Sequence, residues 1–242
     1  VYWYAILITL AIVIGYIWAK VHDGRFNIKY DDIFDLSLFM IPIAFVCARL
    51  YYIAFNLPFY LQNPAEMLNV RNGGLAIYGG IIGGIIVIAV FCKIRKIKIL
   101  DLMDYIAPII PFGQALGRWG NYINIEAYGS ETNWGVKMEV IEHGVTKYVH
   151  PTFLYESIWC FLLFLFLLWF EKKGYKKYDG QLFVLHLIIY SFERFWVEQL
   201  RTDNLLIFGY RQACIISAFI FIVCIIINIV MTNRVKKKQL AA

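Results

Sequence analysis

Charge is what this sequence has least of. Only 17% of its 242 residues are Asp, Glu, Lys or Arg, and 61% are hydrophobic. A soluble domain carries about a quarter charged and about half apolar residues. That shortfall argues against a soluble fold, and because the apolar residues fall in long blocks the chain reads as a polytopic membrane protein. Cysteine is also scarce. Cys47, Cys92, Cys160, Cys214 and Cys224 show no CxxC spacing and all lie in apolar segments. They read as small core hydrophobes rather than disulfide partners or metal ligands. Four scattered histidines form no metal motif, so no zinc site, and no metal of any kind, is expected. No cleavable signal peptide is evident, since Tyr2–Ala19 is long enough to span, lacks a basic flank and leads to no small-residue cleavage site. The chain opens on a valine, and a short leader ahead of it is expected. No internal repeat stands out, which counts against an inverted-repeat transporter.

Seven apolar segments are present: Tyr2–Ala19, Leu36–Phe55, Leu75–Cys92, Tyr105–Leu116, Thr152–Phe170, Gln181–Leu200 and Ala213–Met231. Six approach the ~20 residues that cross a bilayer as a helix. The fourth is short and holds Pro108, Pro111 and Gly113, which predicts a kinked or broken helix whose freed backbone groups face protein or a wet cavity. The expected fold is therefore an all-α, seven-helix membrane domain over the whole chain.

Basic residues set its orientation. Lys20, Arg25, Lys29, Lys93, Arg95, Lys96, Lys98, Lys172, Lys173, Lys176, Lys177, Arg234, Lys236, Lys237 and Lys238 all fall on one side. That side is cytoplasmic by the positive-inside rule, with the N-terminus outside and the C-terminus inside. The net charge of +6 is thus topological, and no nucleic-acid partner is expected. The other basic residues are Arg49, Arg71, Arg118, Arg194, Arg201 and Arg211 with Lys137 and Lys147, mostly arginine where the inner set is mostly lysine. Topology asks only for positive charge. Arginine is preferred where a planar fork grips phosphate or carboxylate, so the outer half reads as an anion site.

The longest polar stretch, residues 118–151, is expected to form a small extracytoplasmic head between the fourth and fifth spans. Its second half alternates from Val136 to Val140 and from Val145 to Val149 around His143-Gly144, which predicts a β-hairpin. Its first half is GRWGNYINIEAYG (117–129), where Arg118, Asn121, Asn124 and Glu126 stand among glycines and aromatics at the mouth of the broken helix. Such polar density at a membrane edge is costly unless something polar binds there.

Other elements aim side chains at the same level. In the sixth span Tyr190, Arg194, Glu198 and Arg201 share one helical face. Arg194 and Glu198 can neutralise each other, and Arg201 can snorkel. The fifth span opens with HPTFLYE (150–156): Pro151 suits a first turn, Thr152 or His150 can cap it, Tyr155 can sit at the interface, and Glu156 is expected to pair with an arginine. Arg49 lies near the outer end of the second span, either snorkelling, pairing with a carboxylate such as Glu126, or binding substrate. Gly79, Gly80, Gly83 and Gly84 permit close helix packing or approach of a lipid headgroup, and Trp3 and Tyr4 read as belt aromatics.

These residues resemble a family. GRWGNYINIEAYG is similar to the signature of the prolipoprotein diacylglyceryl transferases, bacterial membrane enzymes. Trp3-Tyr4, Ala48-Arg49-Leu50-Tyr51-Tyr52, GGLAIYGG (73–80), HPTFLYE and the Tyr190–Arg201 stripe resemble further family segments in the same order. The resemblance implies transfer of a diacylglyceryl group from phosphatidylglycerol to the thiol of a lipobox cysteine, forming a thioether and releasing glycerol 1-phosphate, with no cofactor. It implies a multi-pass protein of the bacterial cell membrane whose site faces the extracytoplasmic leaflet. By position, Arg118 and Arg194 become the essential arginines, with Asn121, Glu126, Gly129, Tyr190, Glu198, Arg201 and Tyr4 in support. Arg49, Asn124, His150, Tyr155 and Glu156 join the expected substrate-binding set.

Departures from the family pattern are mild at Tyr122, where phenylalanine is usual, and at Cys47, where glycine is expected. Tyr78 matters more, because many relatives have histidine there, sometimes proposed as the thiol's base. Tyr78 is the candidate by position, but tyrosine is a poor base near neutral pH. A transporter or receptor for an organic phosphate is the alternative reading. It would carry polar groups through to the cytoplasmic face, whereas here they crowd the outer half.

Overall fold

The computed structural model describes residues 3–69, 73–142, 144–202, 206–207 and 209–240. They divide into two compact units, one made of Val1–Trp18 with Met103–Ala242 and the other of Ala19–Leu102.

In the smaller unit, α2 (Tyr30–Phe55) and α4 (Ile77–Arg95) pack along their length, with the short α3 (Leu57–Gln62) between them in sequence. The start of α2 is fixed by acids: Asp32 accepts from the Lys29 amide at 3.1 Å and Asp23 accepts from the Tyr30 amide at 2.7 Å. Asp31 and Asp32 also suit the positive end of the helix dipole. Close packing of the two helices depends on glycine. A Cβ at Gly79 would lie 2.4 Å from the Cys47 carbonyl oxygen, and one at Gly83 would lie 2.7 Å from Cys47 Cβ. Cys47 is therefore a packing residue. Arg95 pairs with Asp35 at the opposite end of the helices.

In the larger unit, α1 (Trp3–Val21) enters with its first residues, and α5 (Ile99–Ile106) is joined to α6 (Ile109–Ile123) at a 45° bend. Pro108 stands at the bend, where proline disfavours helical geometry in the residue before it. The expected broken helix is present, but it is longer at its outer end than hydropathy suggested. Arg118 and Asn121, expected at the start of the head over residues 118–151, are part of the helix. The hairpin follows: β1 (Met138–Glu142) pairs antiparallel with β2 (Val145–Val149), Met138 opposite Val149. His143 lies outside the described residues. Met138, Val140 and Val149 are buried against Phe153 at the start of α7 (Thr152–Lys172), so alternation in the strands buries one face of the hairpin on a helix.

The chain continues through α8 (Gln181–Leu200), a two-residue pairing of β3 (Leu206–Ile207) with β4 (Tyr210–Arg211), and α9 (Gln212–Leu240). The α7–α8 turn is bound from two sides: Asp104 of α5 accepts from the Gly180 amide at 2.7 Å, and Asn228 of α9 accepts from the Tyr178 hydroxyl at 3.0 Å. Burial, and then the neighbouring Asp104 and Cys224, push the Tyr178 phenol up to about 12, so it remains a donor at any physiological pH.

Among the described residues four helices, α2, α4, α7 and α9, are long and apolar enough to cross a membrane, and the bent α5–α6 pair makes a fifth if it forms one span. The two remaining expected spans fall short for different reasons. In α1 the stretch that counts is Ala5–Val21, which is short. The 20-residue α8 has the length but holds Glu193, Arg194 and Glu198.

Candidate active site

Three helices of the larger unit bring one acid and two arginines together. Glu156, one turn into α7, is 1% exposed. Its Oε2 lies 3.0 Å from Arg118 Nη1 on α6, and its Oε1 lies 2.7 Å from Arg194 Nη1 on α8. A single carboxylate therefore bridges two guanidinium groups, each from a different helix. Arg194 Nη2 reaches Glu198 one turn further along α8 at 2.6 Å, and Arg118 Nη2 donates to the Tyr190 hydroxyl at 3.3 Å. Arg201 Nε stands 3.9 Å from Glu198, while Arg211 of β4 donates to the Glu198 carbonyl. Partly buried guanidinium groups held on two sides have little rotamer freedom, so their remaining donors are presented in fixed directions.

The α6 end of this cluster carries backbone strain. Asn124 caps α6, the Ile125 amide donates to Tyr122 O at 3.2 Å, and the Glu126 amide donates to Asn121 O at 3.0 Å. That is the 5→2, 6→1 bond pattern of a Schellman cap, whose left-handed residue is ordinarily glycine. Here it is Ile125, at φ 53°, followed by Ala127 at φ 58°. A β-branched residue in that region is costly. Glu126 accepts from Asn121 Nδ2 at 3.0 Å, so it belongs to the α6 turn.

Beyond the turn, the chain ties the hairpin to the outer end of α8. The Gly129 amide donates to His150 O at 2.9 Å, the Ser130 amide donates to Leu200 O at 2.8 Å, and Gly129 bridges to Arg201. A Cβ on Gly129 would lie 2.7 Å from His150 Cβ and 3.2 Å from Leu200 O, so glycine is required by close approach. Thr152 donates its hydroxyl to Ala127 O at 2.5 Å. Neither Thr152 nor His150 caps α7, contrary to expectation, because Thr152 is turned to the preceding loop. His150 Nδ1 lies 3.3 Å from the Tyr155 hydroxyl. The other side of α8 meets α9 at an apolar cavity of about 350 Å³, lined by residues that include Phe192, Phe195, Trp196, Phe221 and Ile222.

Two further expected site residues, Arg49 and Tyr78, are in the smaller unit. Arg49 belongs to the smaller unit and is 7% exposed. Its five N–H donors go to the carbonyls of Glu66, Met67, Asn69, Gly73 and Gly74, at 2.6–3.1 Å. Five donors are all that a guanidinium has, so in this arrangement Arg49 neither snorkels nor pairs with Glu126, and it organises the loop before α4. Tyr78 is in the same unit, in the first turn of α4, with its ring 6.5 Å from that of Tyr51. Tyr4 lies in the first turn of α1, its side chain outside what is described, as is Arg71.

Glu193 did not stand out in the sequence. It is 4% exposed on α8 and falls outside the Tyr190, Arg194, Glu198, Arg201 spacing of four, four and three. A step of three from Tyr190 reaches it.

This is a helical membrane protein in which one buried acid braces paired arginines. The class it belongs to follows from comparison with known proteins. The family model for prolipoprotein diacylglyceryl transferase matches residues 1–230. The chain is 42% identical over 236 residues to the phosphatidylglycerol–prolipoprotein diacylglyceryl transferase of Clostridioides difficile (strain 630), covering 97% of this chain and 92% of that protein. It is similar to the proteins of the same name from Finegoldia magna, at 42% over 239 residues with 98% and 94% covered, and Bacillus cytotoxicus, at 41% over 254 residues with 99% and 92% covered. The chain belongs to the prolipoprotein diacylglyceryl transferase family.

Proposed function

We propose that this protein transfers the diacylglyceryl group of phosphatidylglycerol to the thiol of a lipobox cysteine in a prolipoprotein, leaving a thioether and releasing glycerol 1-phosphate. It works as a seven-span protein of the bacterial cell membrane, N-terminus outside and C-terminus inside, with α1 and α8 as the remaining two spans. The observation that carries the reading is the Arg118–Glu156–Arg194 bridge.

The chemistry asks for such a bridge. Attack of sulfur on the glycerol carbon breaks the bond to the phosphate oxygen, and the phosphodiester departs as a phosphate monoester. Negative charge grows on the leaving group, and preoriented guanidinium donors stabilise it more strongly in a low-dielectric site than in water. Glu156 keeps both arginines aimed and offsets their mutual repulsion while the site is empty. The same positive field favours thiolate at the nucleophile. Tyr190, Glu198 and Arg201 support the clamp. Asn121, Asn124, Glu126 and Gly129 shape its outer wall, and His150 with Tyr155 borders the entry of the peptide. One acyl chain lies in the α8–α9 cavity, so the lipid enters from the side.

The test is transfer from labelled phosphatidylglycerol to a synthetic lipobox peptide by the purified protein. A thioether product is expected. Arg118→Lys and Arg194→Lys should each lose about 10²–10³ in kcat, the scale for removing a charge-stabilising donor, since lysine keeps the charge but not the fork. Failure of the unaltered protein to form the thioether would overturn the reading.

A further inference from the structure

The transfer needs a group to take the thiol's proton, and most groups around the bridge are already engaged. Arginine does not act as a base in proteins. Glu156 holds Arg118 and Arg194, and Glu198 holds Arg194 with Arg201 beside it. The Tyr190 hydroxyl accepts from Arg118, and His150 Nδ1 faces the Tyr155 hydroxyl. Glu193 is different. It is buried, and neither of its carboxyl oxygens has a hydrogen-bond partner among the described residues. It immediately precedes Arg194 on α8 and is close enough to Glu156, Arg118 and Arg194 to feel their charges. His186 also has an unpartnered buried nitrogen. It lies seven residues earlier on α8, about 10 Å further along the axis, with its ring stacked on Tyr190.

A buried acid with no donor costs several kcal/mol unless something polar meets it. A purely structural residue at this position would be better apolar. The two open oxygens point to a proton-bearing group that arrives with substrate, and the thiol is such a group. We propose that Glu193 is the base of the reaction, taking the thiol's proton onto a carboxyl oxygen as sulfur attacks; this rests on the reaction proposed above. The S–H bond breaks and its proton passes to Glu193. The sulfur pair forms the S–C bond. The C–O bond breaks, and its electron pair leaves with the phosphate oxygen held by Arg118 and Arg194. The proton then passes from Glu193 to the departing monoester or to water, resetting the site. The charged and titratable groups near Glu193 are Arg118 from α6, Glu156 and Cys160 from α7, and Arg194 from α8 itself.

The experiment compares two acceptors with the full-length protein in phosphatidylglycerol-containing micelles. One is a lipobox peptide with cysteine, the other the same peptide with selenocysteine, whose selenol is already ionised at neutral pH and needs no base. With the cysteine peptide, Glu193→Gln should lose about 10²–10⁴ in kcat, the usual worth of a general base, with KM for the lipid unchanged. With the selenocysteine peptide the same variant should come within several-fold of the unaltered enzyme, and Glu193→Asp should retain partial activity with cysteine. Glu193→Gln activity near normal with cysteine would overturn the proposal. So would an equal loss with both peptides, the signature of a structural role. Failure of the unaltered protein with both peptides would instead overturn the transferase reading, and this proposal with it.

Discussion

Glu156 holds Arg118 and Arg194 with opposite oxygens of one carboxylate, at 3.0 and 2.7 Å. The acid thus connects α6 to α8 through α7, and it is the carboxylate the two arginines share. Removing one partner of a buried ion pair costs about 3–5 kcal/mol, because the remaining charge is left uncompensated. Glu156→Gln leaves two guanidinium groups facing each other across a neutral amide. Thermal unfolding in detergent should show a clear drop in Tm, and transfer should fall by about 10²-fold or more, as expected when reacting groups are misplaced by about 1 Å. A variant with normal Tm and normal rate would show that the bridge positions nothing.

Gly129 lies where backbone from three elements meets. A methyl group there would press on His150 Cβ at 2.7 Å and approach Leu200 O at 3.2 Å. Neither neighbour is the free end of a side chain, so the 129–131 segment must move away from the end of α8. Gly129→Ala should lower kcat about tenfold or more through misplaced Arg201 and Glu198, while the helical circular dichroism is unchanged. Wild-type kcat in this variant would remove the head from any positioning role.

Ile125 is the strained residue of the α6 cap, at φ 53° where glycine is ordinary. Left-handed geometry costs an L-residue about 1–2 kcal/mol. Ile125→Gly should therefore stabilise the protein by about 1 kcal/mol, read as a rise of a few degrees in Tm. If Tm falls instead, contacts of the isoleucine side chain outweigh the strain.

Much of this architecture was legible in the sequence. Long apolar runs gave the helices, because length and hydropathy are local properties, and alternation around Gly144 gave the hairpin. The bend came from Pro108 and Pro111. Partner choice was not legible. Arg118 had Glu126 eight residues away and Glu156 much further along the chain, and which acid reaches it depends on how α6 packs against α7. The same limit hid the role of Arg49. Its partners are main-chain carbonyls, which every residue possesses and no sequence pattern marks. Glycines 117 and 120 both sit within α6, where packing overrides their weak propensity.

Arg49 makes a prediction about the loop before α4. Hydrogen bonds from a charged donor are worth about 1.5–3 kcal/mol each, and lysine cannot reproduce a five-donor fork. Arg49→Lys should lower Tm and open residues 66–74 to limited proteolysis. Gly74→Ala should do the same, since its Cβ would lie 2.2 Å from Arg49 Nη1 and its φ is +82°. Unchanged protease resistance in both variants would show that the loop does not depend on the fork.

The far end of α8 is positioned by a cap borrowed from another helix. No side chain of α8's own start caps it, and a helix N-terminus leaves amides that need acceptors. Asp104 of α5 supplies them. Its Oδ1 accepts from the Leu182 amide at 2.8 Å and the Phe183 amide at 3.3 Å, and its Oδ2 accepts from Gly180 at 2.7 Å and pairs with Lys176 at 2.8 Å. The aspartate is fully buried. Asp104→Asn keeps the shape but turns an amide NH₂ toward donors and leaves Lys176 without this buried partner, so Tm should fall by an amount corresponding to about 3 kcal/mol. Lys176→Met in the same background should recover part of that loss, because the uncompensated charge goes with it. A double variant no more stable than Asp104→Asn would mean that the amide contacts, rather than the ion pair, hold α8 in place. Either outcome bears on the arginines: α8 is a rigid rod between this cap and Arg194, and loosening its start should also reduce transfer, with kcat more affected than lipid KM.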